Sequence, residues 1–235
     1  MSKKPNSESF YVKFVKRAAD IVIGLVALPF LLVIIAVVGI AIKLDDGGPV
    51  FYRAKRIGKD SVIFDMFKFR SMIVNAPNWT NKDGSTYNAP DDDRVTKVGK
   101  FIRKTSIDEL PQLLNVLIGN MTLIGPRASG AGALGNYLDD EKAKMDVKPG
   151  ITGYTQAYYR NGLSVREKRL KDAWYAQNVT FALDVKIFFK TIVTVLKTEQ
   201  VYTNEAGTSK EELHIDASSP AENETANENE PAVKQ

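Results

Sequence analysis

Cysteine is absent from the 235 residues, and histidine occurs once, at His214. No thiol means no disulfide scaffold, no thiolate metal site and no cysteine nucleophile, and a lone histidine supplies neither a histidine-based triad nor a His-rich metal cluster. Any chemistry must run on carboxylates, hydroxyls and cations. Internal repeats are also lacking. What is present is an ordinary folding composition, 44% hydrophobic and 26% charged, sufficient for one good core or two small ones.

Charge divides the chain. From Thr203 to Gln235 two lysines, Lys210 and Lys234, stand against eight acids, so this tail carries −6 and residues 1–202 carry about +10 of the overall +4. The tail has almost no large apolar residue with which to offset its ordering entropy, and it is expected to be disordered. A body this basic expects an anionic partner: nucleic acid, a phospholipid surface or a phosphorylated substrate.

Between Ile21 and Ile42 the chain has 22 uncharged residues, about as long in a helix as the hydrocarbon core is thick. A membrane segment is expected, since the run is too long for a usual signal-peptide core and lacks a small-x-small cleavage site. Pro29 should kink it between Ala27 and Phe30. Lys3, Lys4, Lys13, Lys16 and Arg17 precede it and Lys43, Arg53, Lys55, Arg56 and Lys59 follow, a tie of five against five under the positive-inside rule. Such a tie fits a bent segment that enters and leaves by one face as well as it fits a kinked single span.

Beyond the segment, Val50 to Arg53 and Val62 to Arg70 flank Gly58-Lys59-Asp60-Ser61 and predict a β-hairpin. Asn75 to Asp93 predicts a loop, with Asp91, Asp92 and Asp93 as turn residues. Helices are predicted at about 106–118, 136–146 and 164–177, the last opened by a Ser164/Glu167 capping box. A final helix, Phe181 to Glu199, carries Leu183, Ile187, Phe188, Ile192, Val195 and Leu196 at helical spacing, a stripe suited either to core packing or to the headgroup plane.

The chemistry concentrates at Asp108 and Glu109. Ser106 with Glu109 fits a capping box, and spacing alone favours that structural role. Against it, Pro111 is comfortable only in a first turn, so the helix should begin nearer Asp108 and leave that aspartate at the cap, beside free N–H groups that suit a phosphate. Glu109 could then hold a Mg²⁺ bridging diphosphate oxygens. Lys68 and Arg70 lie two apart on a presumed strand, Arg103 precedes the acids and Arg127 follows the helix; all are candidate phosphate cations.

The chain resembles the bacterial sugar transferases, monotopic polyprenyl-phosphate phosphoglycosyl transferases, from about Val15 to Leu196. The resemblance rests on Lys16-Arg17-Ala18-Ala19-Asp20, the Pro29-interrupted apolar run, Gly48-Pro49-Val50-Phe51, Arg56-Ile57-Gly58, Lys68-Phe69-Arg70-Ser71-Met72, Asp93-Arg94-Val95-Thr96, Gly99-Lys100-Phe101-Ile102-Arg103, Ser106 through Leu113, Asn115-Val116-Leu117, Gly125-Pro126-Arg127 and Lys148 through Gly153. It implies transfer of a phosphosugar from a UDP-sugar to polyprenyl (undecaprenyl) phosphate with release of UMP, the opening membrane step of bacterial glycoconjugate and exopolysaccharide synthesis. By resemblance Asp108 is the nucleophile that carries a covalent phosphosugar and Glu109 binds Mg²⁺, while Lys68, Arg70, Arg94, Arg103, Arg127, Gln156 and Arg160 bind substrate.

The same resemblance breaks the membrane helix at Pro29 into a re-entrant segment at the bacterial inner membrane, with the site on the cytoplasmic face. The fold it implies is α+β and mostly helical: an N-terminal proline-broken re-entrant membrane helix, a short β-hairpin and amphipathic interfacial helices. Residues 1–46 are then the N-terminal segment and membrane helix, 47–202 the catalytic domain and 203–235 the acidic tail. Membrane lipid is a further partner; a homo-oligomer and downstream glycosyltransferases are partners it allows. The competing reading is a membrane-anchored basic domain that binds anionic lipid or nucleic acid and catalyses nothing; the scarcity of aromatic-basic interleaving counts against nucleic acid.

Overall fold

The computed structural model describes residues 9–81, 86–160, 162–197 and 214–215. A π-helical turn, Tyr11–Val15, runs into helix α1, Lys16–Asp46, with Pro29 inside it and helical structure on both sides. Gly47 closes α1 in the left-handed region at φ 73, and Lys43 Nζ donates to the Gly47 carbonyl at 3.2 Å. Asp20, Gly24, Leu31, Val38 and Ile42 form a buried stripe, whereas Phe30, Val33, Val37 and Ile40 are at least 62% exposed. An outward face this apolar suits hydrocarbon rather than water.

Both ends of α1 bond into the rest of the protein. Lys16 pairs with Asp184, Arg17 Nη1 and Nη2 donate to the Val116 and Leu117 carbonyls at 2.6 and 3.0 Å, and Asp20 Oδ1 accepts the Leu123 N–H at 3.0 Å. At the far end Asp45 accepts the Val98 N–H at 2.9 Å, and Asp46 grips the Arg70 guanidinium through both oxygens.

The hairpin forms as expected, β1 (Phe51–Ile57) antiparallel to β2 (Ile63–Phe69) across a 3₁₀ turn at Lys59–Ser61. Its register pairs Tyr52 with Lys68 and Arg56 with Phe64, so one face carries Tyr52, Ala54, Arg56, Phe64, Met66 and Lys68. Ala54, Phe64 and Met66 on that face pack with Val116 and Met121. The expected loop contains one short strand, β3 (Trp79–Thr80).

Helix α2 (Lys97–Lys104) was not anticipated; Thr96 Oγ1 caps it by accepting the Gly99 N–H at 3.0 Å. It lies backbone against backbone on the strand exit, because a Cβ at Gly99 would come 2.0 Å from the Ser71 carbonyl oxygen. The single helix expected over 106–118 is corrected to a 3₁₀ turn, Ile107–Glu109, followed by α3 (Gln112–Ile118). Ser106 at φ 59 ends the helical run, and its side chain makes no cap hydrogen bond, so the Ser106/Glu109 capping box does not form.

Strand β4 (Thr122–Ile124) pairs in parallel with β5 (Gly150–Thr152), another unexpected pairing of three-residue strands. The helix expected at 136–146 is instead two 3₁₀ stretches, Ala131–Asn136 and Lys142–Asp146. Glycines interrupt the first. In the connection between them Asp140 and Glu141 turn to meet Arg166 and Arg169 rather than a helical neighbour.

Helix α4 (Tyr154–Tyr158) follows, then α5 (Val165–Gln177) with its Ser164/Glu167 capping box in place, and α6 (Phe181–Lys197). Ile187 of α6 is fully buried, but Phe188, Ile192, Val195 and Leu196 are at least 39% exposed, so most of the apolar stripe stays outside the core. Of the tail, only β6 (His214–Ile215), antiparallel to β3, is described; the remaining residues of 203–235 lie outside the described set.

Asp184 joins the two ends of the fold: 3% exposed, it accepts from Tyr11 Oη at 2.7 Å and Tyr175 Oη at 2.6 Å while pairing with Lys16. Asp184→Asn strands a buried ammonium, and unfolding in detergent or nanodiscs should show a loss of about 3–5 kcal/mol. Pairing it with Lys16→Met should restore most of that loss.

Candidate active site

Asp108 and Glu109 occupy the 3₁₀ turn between α2 and α3, not the first turn of a long helix. The positive φ of Ser106 swings the chain across the end of β2, and Pro111 then opens α3 without needing an N–H partner. Lys68 Nζ lies 2.7 Å from Glu109 Oε1 and 3.8 Å from Asp108 Oδ2. Arg127 Nη2 reaches the same Glu109 oxygen at 3.5 Å. The Arg127 side chain is 55% exposed, so its contact is worth less than about 1 kcal/mol, whereas Lys68 and Glu109, at 17% and 21%, form the tighter pair.

The two carboxylates diverge. Burial pushes the Asp108 pKa above its ordinary value, and the neighbouring Glu109 charge adds to that rise against the opposing pull of Lys68, Arg103 and Arg127. For Glu109 burial acts upward too, but Lys68, Arg127 and then Arg56 outweigh it and hold the carboxyl at about 2. One acid is therefore pinned as an anion by a hydrogen-bonded ammonium. The other is the more basic and makes no hydrogen bond among the described residues. Neighbouring carboxylates whose environments separate their proton affinities take on different tasks.

Two longer-range devices hold this arrangement. Asn115, fully buried on α3, donates through Nδ2 to the Asp65 carbonyl at 2.7 Å and accepts the Phe67 N–H at 2.9 Å, fixing α3 to β2 beside Lys68. Arg127 is carried by an extension of the β4–β5 pairing, a parallel bridge from Arg127 to Gly150. A Cβ on Gly150 would meet the Gly125 nitrogen at 2.1 Å, so only glycine lets these segments approach.

The expected cations separate into two groups. Lys68 and Arg127 reach the dyad, and the charge of Arg103 favours the ionised form of Asp108. Arg70 and Arg94 do not. Strand β2 ends at Phe69, so the alternation that would have aligned Arg70 with Lys68 has lapsed, and Arg70 is buried on Asp46 and the Pro49 carbonyl. Arg94, 3% exposed, is committed to Asp92 at 2.7 Å, to the Pro77 and Tyr87 carbonyls and to the Trp79 ring.

Gln156 donates to the Ile151 carbonyl at 2.9 Å, and Arg160 donates to the Thr194 carbonyl at 2.8 Å, ties that join α4 to β5 and α6. Arg56, whose charge acts on Glu109, and Asn115 lie in motifs that carry the resemblance but are not among the expected site residues. The strand pairing of Arg56 with Phe64, on the Lys68 face, is the signal that a register would have supplied.

Comparison with known proteins bears on this geometry. The family model described as bacterial sugar transferase matches residues 11–198. Over 205 residues the chain is 37% identical to an undecaprenyl-phosphate galactose phosphotransferase of Salmonella typhimurium, covering 81% of this chain but 42% of that protein. It is 39% identical over 186 residues to the uncharacterized sugar transferase EpsL of Bacillus subtilis, covering 79% of this chain and 89% of the relative. It is 36% identical over 191 residues to the exopolysaccharide production protein ExoY of Sinorhizobium fredii, covering 77% and 84%. The chain thus spans less than half of the Salmonella relative and most of the shorter two. A match of this extent, together with a dyad flanked by converging cations, makes the chain a member of the bacterial sugar transferase family.

Proposed function

We propose that the chain transfers a phosphosugar from a UDP-sugar to polyprenyl phosphate, undecaprenyl phosphate in a bacterium, and releases UMP. The observation that carries this is the asymmetry of the dyad: Glu109 is held by Lys68 at 2.7 Å, while Asp108, of raised basicity, lies 3.8 Å from the same ammonium with no hydrogen bond on its carboxylate among the described residues. An Asp108 oxygen would attack the phosphorus that bears the sugar, breaking its bond to the UMP oxygen. An oxygen of polyprenyl phosphate would then attack the same phosphorus and break the bond to Asp108. Lys68, Arg103 and Arg127 offset the charge on phosphate oxygens in both steps. The names of relatives that act on undecaprenyl phosphate support the acceptor.

Mg²⁺ belongs to this proposal. Among the described residues no group of three metal-ligating side chains exists, and Mg²⁺ is commonly held by one or two carboxylates with substrate phosphate oxygens and water completing its shell. Glu109 would hold it, and the ion would supply further neutralisation of the diphosphate.

The re-entrant reading of α1 is supported by its two anchored ends. Arg17 and Asp20 at one end and Asp45 and Asp46 at the other all bond to the body that carries the dyad. A straight helix from Arg17 to Asp46 is about 45 Å long, and one that crossed the bilayer would leave its ends in different compartments. The exposed apolar faces of α1 and α6 would seat the dyad near the headgroups of the inner membrane, on the cytoplasmic side where UDP-sugars reside.

Membranes containing the protein, incubated with a panel of UDP-sugars and Mg²⁺, should release UMP. Asp108→Asn should lower that release on the order of 10³-fold or more and abolish the phosphosugar adduct seen by mass spectrometry of quenched protein. Unchanged release in that variant would remove Asp108 as nucleophile, and no release from the wild type with any donor would leave the basic lipid-binding reading. For the membrane segment, Ser2→Cys and Ser61→Cys, each made in this cysteine-free chain, should both be shielded from an impermeant thiol reagent in intact cells and both react after lysis. Labelling of only one in intact cells would mean that α1 crosses.

A further inference from the structure

Arg56 is an anomaly in the described structure. Its Nε is buried and has no hydrogen-bond partner, and the residue makes no ion pair among those described. A buried charged donor without an acceptor is costly, and native structures keep such groups where something else supplies the acceptor. Its pKa is pulled down by burial first and by the neighbouring Arg127 second, with Glu109 acting the other way. Two guanidinium groups held near each other without a carboxylate dedicated to one of them form a place for an anion.

The backbone shows that this juxtaposition is built. Arg56 bridges to Gly130, and the Ile57 N–H donates to the Ser129 carbonyl at 2.9 Å, so the end of β1 docks on the segment that follows Arg127. At Gly130 a Cβ would come within 3.5 Å of Arg56 Nη1, which places the guanidinium against that segment. Arg56 shares its hairpin face with Lys68, four residues further along in register, so the two cations lie at opposite ends of one face.

The charges of Lys68, Arg103 and Arg127 favour the ionised form of Asp108, and those of Lys68, Arg127 and Arg56 favour that of Glu109. Arg127 acts on both.

We propose that Arg56 and Arg127 form an anion site for the phosphate that departs with the nucleoside, so that Arg56 binds and stabilises the leaving nucleoside monophosphate. This rests on the reading of Asp108 as nucleophile toward a UDP-sugar. In the first step the bond between the sugar-bearing phosphorus and the bridging oxygen breaks, the electron pair stays on that oxygen as part of UMP, and Arg56 donates to the oxygens of the UMP phosphate. In the second step, with UMP gone, Arg56 has no part.

The test compares wild type, Arg56→Gln and Arg56→Lys in membranes or detergent. UMP binding is measured directly in an Asp108→Asn background, and the two half-reactions are followed separately by adduct formation from UDP-sugar and adduct discharge to polyprenyl phosphate. Arg56→Gln should weaken UMP binding about tenfold to a hundredfold and slow adduct formation, while discharge proceeds at the wild-type rate. Arg56→Lys, which keeps the charge without the fork, should fall between and shows whether a loss in the glutamine variant is one of folding. UMP affinity within twofold of wild type, or equal slowing of both half-reactions, would overturn the role of Arg56. If the Asp108→Asn background itself fails to bind UMP, the nucleotide-donor reading fails along with it.

Discussion

The ammonium of Lys68, set between two carboxylates that are adjacent in sequence, is the contact on which the rest of the site depends. Lys68 is the largest of the charges that oppose the burial of Asp108, and it also hydrogen-bonds Glu109, so its removal would disfavour the ionised form of both acids. Holding it there requires three elements that meet nowhere in the sequence: the β1–β2 register that turns Lys68 to the α3 face, the Asn115 clasp that fixes α3 to β2, and the left-handed Ser106 that brings the acid pair back across the strand end. Each of these is a backbone or buried-polar constraint with few substitutes. Asn115 presents an acceptor and a donor at the spacing of a strand, so an apolar residue of similar size would leave both Phe67 N–H and Asp65 C=O unsatisfied.

The membrane segment is part of the same construction. Lys16, Arg17 and Asp20, on one side of the start of α1, respectively pair with Asp184 of α6, cap the C-terminal carbonyls of α3 and bind the first residues of β4. Cations suit the end of a helix where carbonyls lack partners, so Arg17 serves α3 as a C-cap delivered from another helix. The position of α3, and with it of the dyad, is therefore tied to the apolar helix α1. A lipid phosphate is confined to the headgroup plane, so an enzyme that accepts one gains from a nucleophile fixed at a constant depth.

Periodicity exposed the parts of the fold that obey it. The uncharged run, the hairpin, the capping box of α5 and the amphipathic α6 all announce themselves within a dozen or so residues. The failures share a cause as well. Ser106 was read as a cap because its hydroxyl suits one, but the cap requires an extended backbone and this residue is left-handed. Strands β4 and β5 are too short for a pattern, and their pairing joins residues 28 apart. Arg70 reads as a phosphate cation because the acid that claims it, Asp46, lies 24 residues away, and Arg94, a candidate by resemblance, is claimed by Asp92 two residues before it and packs on Trp79 and Tyr87. Arg56 carries no such local signal, since what marks it is a buried Nε with no partner among the described residues.

Like charge also bears on why the proposed reaction runs in two steps. The donor diphosphate and the acceptor phosphate are both anions, and bringing them together in one site would set like charges against each other. Letting Asp108 keep the phosphosugar while the nucleotide departs removes one anion before the other arrives. Lys68, Arg103 and Arg127 are then available to the lipid phosphate, with Glu109 still fixed as an anion by Lys68 and Arg127. A single charged cradle can thus serve two substrates of the same sign in turn, provided that one carboxylate in it is basic enough to bond phosphorus and the other is not.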